Sequence, residues 1–222
     1  MEMKSQKKSL LKSSILQAAL IFVVSYVLFL VVWLGVKGYY GEVITTISSY
    51  AVSVVKNADV VDIAREKDVV TIGFIPKKFG VSQVYKTSID VPISNYTFNV
   101  PLTLAIMAAF FLFLRSKRLY LEALLILILV HILFVFTLEA ERLTDAFVSQ
   151  GYEKPSDVKK AFWEFLWGFL DNMVVRFEPF LIGAYLFFFR NWEAPAKTRN
   201  GKEGKGKEKE KPAKTKGKKS KK

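Results

Sequence analysis

The chain contains no cysteine and only one histidine, His131, among its 222 residues. The absence of cysteine excludes disulfides, thiolate nucleophiles and cysteine-ligated metals. A single histidine excludes a metal site built from several histidines of one chain. We therefore expect neither a metal nor another cofactor.

Acidic residues are also few: 20 of them stand against 33 lysines and arginines, a formal net charge of +13. Most of the excess lies in residues 190–222, where 14 basic and 4 acidic residues leave a net charge of +10. The rest of the chain is almost balanced. The composition of residues 190–222, rich in lysine and glycine, predicts a disordered tail.

This basic tail resembles polybasic segments that bind anionic lipid head groups. A ribosome or other RNA is an alternative partner, and a third interpretation is a tail that only aids solubility and fixes topology. The lysines predicted to bind lipid are Lys205, Lys207, Lys209, Lys211, Lys214, Lys216, Lys218 and Lys219.

Apolar residues, in contrast, make up 51% of the chain. They concentrate in four stretches, residues 15–36, 98–114, 120–138 and 166–189, each long enough, or nearly so, to cross the ~30 Å hydrocarbon core as a helix. Basic residues precede the first stretch, separate the second from the third and follow the fourth, which places both termini in the cytoplasm. The first stretch exceeds the apolar region of a cleavable signal, so we expect an uncleaved signal anchor.

Residues 37–97 are predicted to form a small α+β module. Residues 41–56 have helical periodicity and either lie on the membrane surface or continue the first helix beyond a kink. An apolar stripe follows this helix, and the polar Thr45, Ser48 and Ser49 lie off it. The stripe consists of Val43, Ile44, Ile47, Ala51, Val54 and Val55. Two or three antiparallel strands are predicted, with a hairpin turn at residues 65–68. The strands are residues 60–64, 69–75 and 84–91.

The predicted fold is a mainly α protein of the plasma membrane with four transmembrane helices, an extracytoplasmic α+β module and a disordered basic tail. Residues 139–149 are expected to extend the third helix, and Ser156 is expected to cap the helix that follows. The segments are a cytoplasmic N-terminus (1–14), helix one (15–36), the module (37–97), helix two (98–114), a cytoplasmic turn (115–119), helix three (120–138), an outer loop (139–165), helix four (166–189) and the tail (190–222).

Four polar side chains are predicted to form a cluster within the membrane: Tyr26, His131, Arg176 and Glu178. Counted at 1.5 Å per residue from the predicted outer helix ends, all four lie roughly 10–16 Å deep. Asp171 is a further intramembrane acid, and such groups need a partner or water. The cluster lines a cavity, relays protons or holds a partner's helix; alternatively, Arg176 and Glu178 neutralise each other and His131 only hydrogen-bonds between helices.

Pro179 is predicted to weaken the fourth helix beside this cluster. Proline has no amide hydrogen, so the carbonyl of Val175 loses its usual donor. The helix is therefore expected to be less stable at this turn.

Three functions fit this layout. The first is a non-enzymatic accessory protein that binds an integral membrane partner and, through its outer module, a secreted client. The second is a transport or proton-relay subunit that uses the polar cluster, and the third is an insertase-like helper whose tail recruits ribosomes. An enzyme is not expected, since Ser25 and Ser48 lack a nearby base and Asp171 lacks a second intramembrane aspartate.

One stretch of the chain, followed by an apolar helix, resembles a known family. The stretch is ISNYTFNVPL, residues 93–102, followed by TLA. With the order of signal anchor, outer module, basic turn, outer loop and final helix, it resembles the exosortase H-associated membrane protein family over about residues 20–189. The resemblance implies an exosortase, a membrane transpeptidase that processes sorting signals, as the partner. It implies no catalytic residues.

Overall fold

The computed structural model describes residues 2–77, 85–114 and 116–189, with side chains from residue 15 onward. Within these ranges the chain is mostly helical and carries one small sheet. The helices are α1 (Glu2–Lys56), α2 (Ser94–Thr97), α3 (Val100–Phe110), α4 (Lys117–Ser149), α5 (Asp157–Phe169) and α6 (Arg176–Phe189), with a π-helical segment, Leu170–Val175, between the last two. The strands are β1 (Ala58–Glu66), β2 (Val69–Pro76) and β3 (Thr87–Pro92).

Three helical runs, Ile15–Lys56, Lys117–Ser149 and Asp157–Phe189, are long and apolar enough to cross a membrane. Length and composition are thus those of a helical membrane protein. The second apolar stretch of the sequence differs from its prediction, because it forms only the 11-residue α3. At about 16 Å, α3 is shorter than a bilayer core.

Helix α1 is continuous through Gly38 and Gly41, so residues 41–56 prolong the first helix instead of forming a separate one. Its two halves have different surroundings. No residue from Ile15 to Val36 is buried, although one face, which includes Phe29 and Trp33, is half-buried. The second half, in contrast, supplies several buried side chains to the core.

The buried side of this second half carries the small polar residues, and of the predicted apolar stripe only Ile44 is buried. Thr45, Ser48 and Ser49 are buried, whereas Val43 and Val54 are exposed, as is Ile47. The physical reason is that small hydroxyl side chains bond to carbonyls within the helix and across to neighbouring helices, which permits close packing. Ser48, for example, donates to the carbonyl of Ile44 at 2.9 Å and to that of Ile132 at 3.1 Å.

The three strands form an antiparallel sheet in the order β1-β2-β3. A two-residue turn joins β1 to β2, with Lys67 at a positive φ of 52°. The hairpin is therefore confirmed, and each of its strands extends slightly beyond the predicted range. The third strand is also confirmed, although it begins later than predicted: residue 84 lies outside the described residues, residues 85 and 86 are not part of the strand, and β3 begins at Thr87. Buried Val70, Ile72 and Phe74 pack with residues of α1 and α4 in one core.

Two predicted features of residues 139–165 are confirmed. Helix α4 continues to Ser149, so residues 139–149 do extend the third helix. Ser156 caps α5, where its hydroxyl accepts a hydrogen bond from the backbone N–H of Lys159 at 3.4 Å. The segment between the third and fourth apolar stretches is therefore helical at both ends, and only residues 150–156 between α4 and α5 are not helical.

Pro179 lies inside α6 and follows the π-helical segment. The carbonyl of Val175 accepts a hydrogen bond from the side-chain amide of Asn99, at 2.6 Å. Asn99 is buried immediately before α3. Asn99 thus supplies the hydrogen-bond donor that Pro179 lacks. The bond joins the start of α3 to the π-helical segment that precedes α6.

Replacing Asn99 by alanine is expected to lower the free energy of unfolding by about 1 kcal/mol, because the Val175 carbonyl loses its donor. In a Pro179→Ala background the loss should be smaller, since the backbone regains an N–H at this position. Thermal unfolding of the four proteins gives the double-mutant cycle. Equal losses in both backgrounds would show that Asn99 does not compensate for the proline.

Candidate functional site: a buried polar network

The centre of the site is a contact between α4 and α6. Nε2 of His131 lies 2.8 Å from Oε2 of Glu178, and both side chains are almost completely buried. The two atoms are close without the alignment of a hydrogen bond. The contact is therefore electrostatic, and becomes an ion pair when the imidazole carries both protons.

Side chains from three further helices surround this pair. The Tyr40 hydroxyl of α1 lies 2.7 Å from Nδ1 of His131, and Thr103 of α3 donates to Oε1 of Glu178 at 2.9 Å. The rings of Tyr40 and Tyr96 stand edge-on to the imidazole, at centroid distances of 5.7 and 5.5 Å. Five helices, α1 to α4 and α6, therefore meet at the His131–Glu178 pair.

The network continues along α1 and α4. Tyr96 donates to the carbonyl of Gly41 at 3.1 Å, and burial raises the pKa of Tyr96 to about 12, so it remains a donor at neutral pH. Ser49 donates to Oε1 of Glu139 at 2.8 Å. Glu139 is fully buried, and its other carboxylate oxygen has no protein partner among the described residues.

Of the four residues predicted to cluster, the structure brings together His131 and Glu178 only. Tyr26 is exposed and stacks on Phe22, at a centroid distance of 6.4 Å. It lies 14 residues before Tyr40, which takes its place, or about 21 Å along α1. The prediction was wrong here because it measured depth from an assumed helix end near Trp33.

Arg176 also lies outside the buried pair. Its side chain is 61% exposed, and its Nη2 lies 3.5 Å from Oδ2 of Asp171. Although Arg176 precedes Glu178 by only two residues, the two side chains point to different sides of the helix. The neutralisation of Arg176 by Glu178 is therefore not seen, and Asp171 provides the carboxylate instead.

The position of the buried pair along the axis of α1 follows from the residues next to Tyr40. Tyr40 lies between Lys37, which forms an ion pair with Asp68 at 2.8 Å, and Glu42, which contacts Arg65 at 3.3 Å. Both ion pairs are partly exposed and belong to the base of the sheet. Along the axis of α1, the pair thus lies level with charged groups of the β1–β2 hairpin.

The carboxyl of Asp68 has a pKa below its ordinary value. Burial alone would raise this pKa, but hydrogen bonds from Lys37 and from the backbone N–H of Ser94 outweigh that effect. Asp68 is therefore ionised at neutral pH and joins the hairpin turn to α1 and to the start of α2.

An open cavity of about 630 Å³ adjoins the network on the side of α4, α5 and the π-helical segment. Its lining is mixed, with two arginines, one acid, small polar groups and aromatic rings. The polar members are Ser94, Asn95, Arg142, Asp171 and Arg176, and the apolar ones include Phe98, Phe134, Leu138 and Trp167.

Sequence reasoning did not assign Tyr40, Tyr96 and Thr103 to this site, although they surround the His131–Glu178 pair. The nearest indication was the run of small polar residues in α1, which was placed off the apolar stripe without being assigned to the buried side. Among the described residues, no three His, Asp or Glu side chains come close enough to hold a metal ion. The tail lysines lie outside the described residues, so their binding to lipid or RNA stays a prediction.

No family model, no curated protein and no solved structure matches this chain. Function is therefore inferred from the contacts of the chain itself. The buried network joins five helices through uncharged donors and one acid–histidine pair. Such an arrangement can hold helices in register or pass a proton along its length.

Proposed function

We propose that the protein is a non-enzymatic accessory protein of the plasma membrane, which binds an integral membrane partner and a secreted client. The observation that supports this most is the surface of α1 between Ile15 and Val36, where no side chain is buried. A long apolar helix with so little cover from its own chain offers its surface to another transmembrane helix. The resemblance of residues 93–105 makes an exosortase the proposed partner.

We propose a membrane boundary near Lys37. On the N-terminal side of this boundary, α1 exposes apolar side chains on most sides. At the boundary and on its C-terminal side lie the partly exposed ion pairs of Lys37 and Glu42. Because α3 alone is too short, the proposed fourth crossing comprises residues 98–114, the 17 residues that include α3 and the turn after it, which is the lower limit for a span. Both termini then lie in the cytoplasm, and the sheet lies outside.

The outer sheet is the proposed contact for a client. β1 is an edge strand that pairs with β2 on one side. It is nine residues long, and most of its side chains are exposed. An extended client segment can add to such an edge through backbone hydrogen bonds.

The layout is testable with single cysteines, because the chain has none of its own. A membrane-impermeant maleimide should label Asp59→Cys and Ser156→Cys in intact cells, and Lys117→Cys only after permeabilisation. Labelling of Lys117→Cys from outside, or protection of the other two, would overturn the four-crossing topology.

Partner binding is tested by a photo-crosslinking residue at the exposed Leu28 of α1, with the buried Val52 as the matched control position. With an exosortase co-expressed, the Leu28 probe should yield a crosslink to it and the Val52 probe should not. Crosslinks to lipid alone from Leu28 would contradict an exosortase partner on this face.

A second candidate function is a proton-relay subunit. Tyr40, His131 and Glu178 form a row of titratable groups joined by contacts of 2.7 and 2.8 Å. If they relay protons, Tyr40→Phe, which keeps the ring packing, should reduce proton flux into proteoliposomes. Wild-type flux no greater than that of protein-free vesicles would exclude this function.

A further inference from the structure

We propose that the open cavity between α4 and the π-helical segment binds the head group of an anionic membrane lipid, through the lipid's phosphodiester. This inference rests on the membrane boundary proposed above but not on an exosortase or a client. It gives a binding role to Arg142 and Arg176, neither of which belongs to the buried network.

The cavity lies at the height where head groups are found. Arg176, at one end, is two residues from Glu178, and the buried pair lies beside the proposed boundary. Arg142, at the other end, follows His131 by 11 residues, or about 16 Å along α4. The cavity therefore begins at the boundary, crosses the head-group layer of roughly 5–8 Å per leaflet and ends outside it, so that a head group enters at the Arg176 end and Arg142 reaches toward it from the outer end.

The charges of the lining match a single phosphodiester. Arg142, Arg176 and Asp171 sum to +1, and one phosphodiester carries −1. Asp171 engages Arg176 through one contact of 3.5 Å, and Arg142 donates from Nη1 to the backbone carbonyl of Asp90. A guanidinium has five N–H donors, so both arginines have N–H groups left for a phosphate.

The apolar part of the lining favours a lipid over a soluble anion or a peptide. Phe98, Phe134 and Leu138 supply an apolar wall in the same cavity as the arginines. Phe98 is 55% exposed, and Phe177, next to Arg176, is 51% exposed. A ligand with an anionic head and an apolar body satisfies both parts of this lining.

The test is native mass spectrometry of the full-length protein, released from nanodiscs that contain phosphatidylglycerol and phosphatidylcholine. The wild type should retain phosphatidylglycerol preferentially, because choline adds a positive charge to the same phosphodiester. Arg142→Gln/Arg176→Gln should lower the affinity for phosphatidylglycerol at least about tenfold. Lys77→Gln/Lys86→Gln, which removes two partly exposed basic side chains on the sheet, should change it less than about twofold.

One further variant distinguishes a loss of lipid binding from a loss of folding. Asp171→Asn removes the carboxylate that competes for Arg176, so it should raise the affinity for phosphatidylglycerol, which a misfolded protein cannot do. The proposal is overturned if the wild type shows no preference or if both double variants lose affinity equally. Equal affinity for soluble glycerol phosphate, or displacement of the lipid by an acidic peptide at lower concentration, also overturns it. The cysteine labelling tests the membrane layout independently.

Discussion

Replacing Glu178 by alanine is expected to lower the free energy of unfolding by about 1–3 kcal/mol or more, the usual cost of leaving buried polar groups without their partner. His131 would remain buried without its acid, and the Thr103 hydroxyl would lose its acceptor. The loss can be measured by tryptophan fluorescence during denaturation in mixed micelles, since the chain has four tryptophans.

Two control variants separate the buried pair from its exposed neighbour. Glu178→Gln keeps the volume and an acceptor for Thr103, so its cost should be smaller than that of the alanine variant. Arg176→Gln should cost less than about 1 kcal/mol, because Arg176 is largely exposed. An Arg176→Gln loss as large as that of Glu178→Ala would instead support direct pairing of Arg176 with Glu178.

Replacing Gly41 by valine is expected to cost about 3 kcal/mol through overpacking. A Cβ atom at Gly41 would lie 2.5 Å from Cγ2 of Ile93, a buried side chain. The shift would also disturb the hydrogen bond from Tyr96 to the Gly41 carbonyl. Thermal unfolding of the purified protein measures the loss.

Gly35 provides the matched control, because it lies on the same helix and a Cβ there meets no atom within 4 Å. Gly35→Val should change stability by less than about 1 kcal/mol, and helix propensity favours valine over glycine. The clash itself is tested by adding Ile93→Ala to Gly41→Val, which should cost less than the two single changes together. Additive costs would show that Ile93 is not what makes glycine necessary.

Local features of the sequence predicted much of the fold. The apolar stretches that begin at residues 15, 120 and 166 lie within three long helices, because length and hydrophobicity alone determine such segments. The β1–β2 hairpin and the Ser156 cap were also predictable, since turn and cap preferences act over a few residues.

The orientation of α1 was not predictable in the same way. Val43 and Ile47 suggested the inward face, yet Thr45, Ser48 and Ser49 occupy it. Helical periodicity defines two faces but not which of them is covered. In a helix bundle surrounded by lipid, small hydroxyl side chains that hydrogen-bond across a helix interface can occupy the buried face, while apolar side chains face the lipid.

By itself, the sequence determined which segments are helical, where the hairpin turns and that His131 and Glu178 lie in apolar surroundings needing partners. Only the tertiary structure shows which residues contact His131 and Glu178. An unbroken α1 sets the register that brings Tyr40 rather than Tyr26 to the imidazole, and the packing of α6 against α4 brings Glu178 to its other side. These are contacts between elements far apart in the chain, and they depend on packing that short-range preferences do not encode.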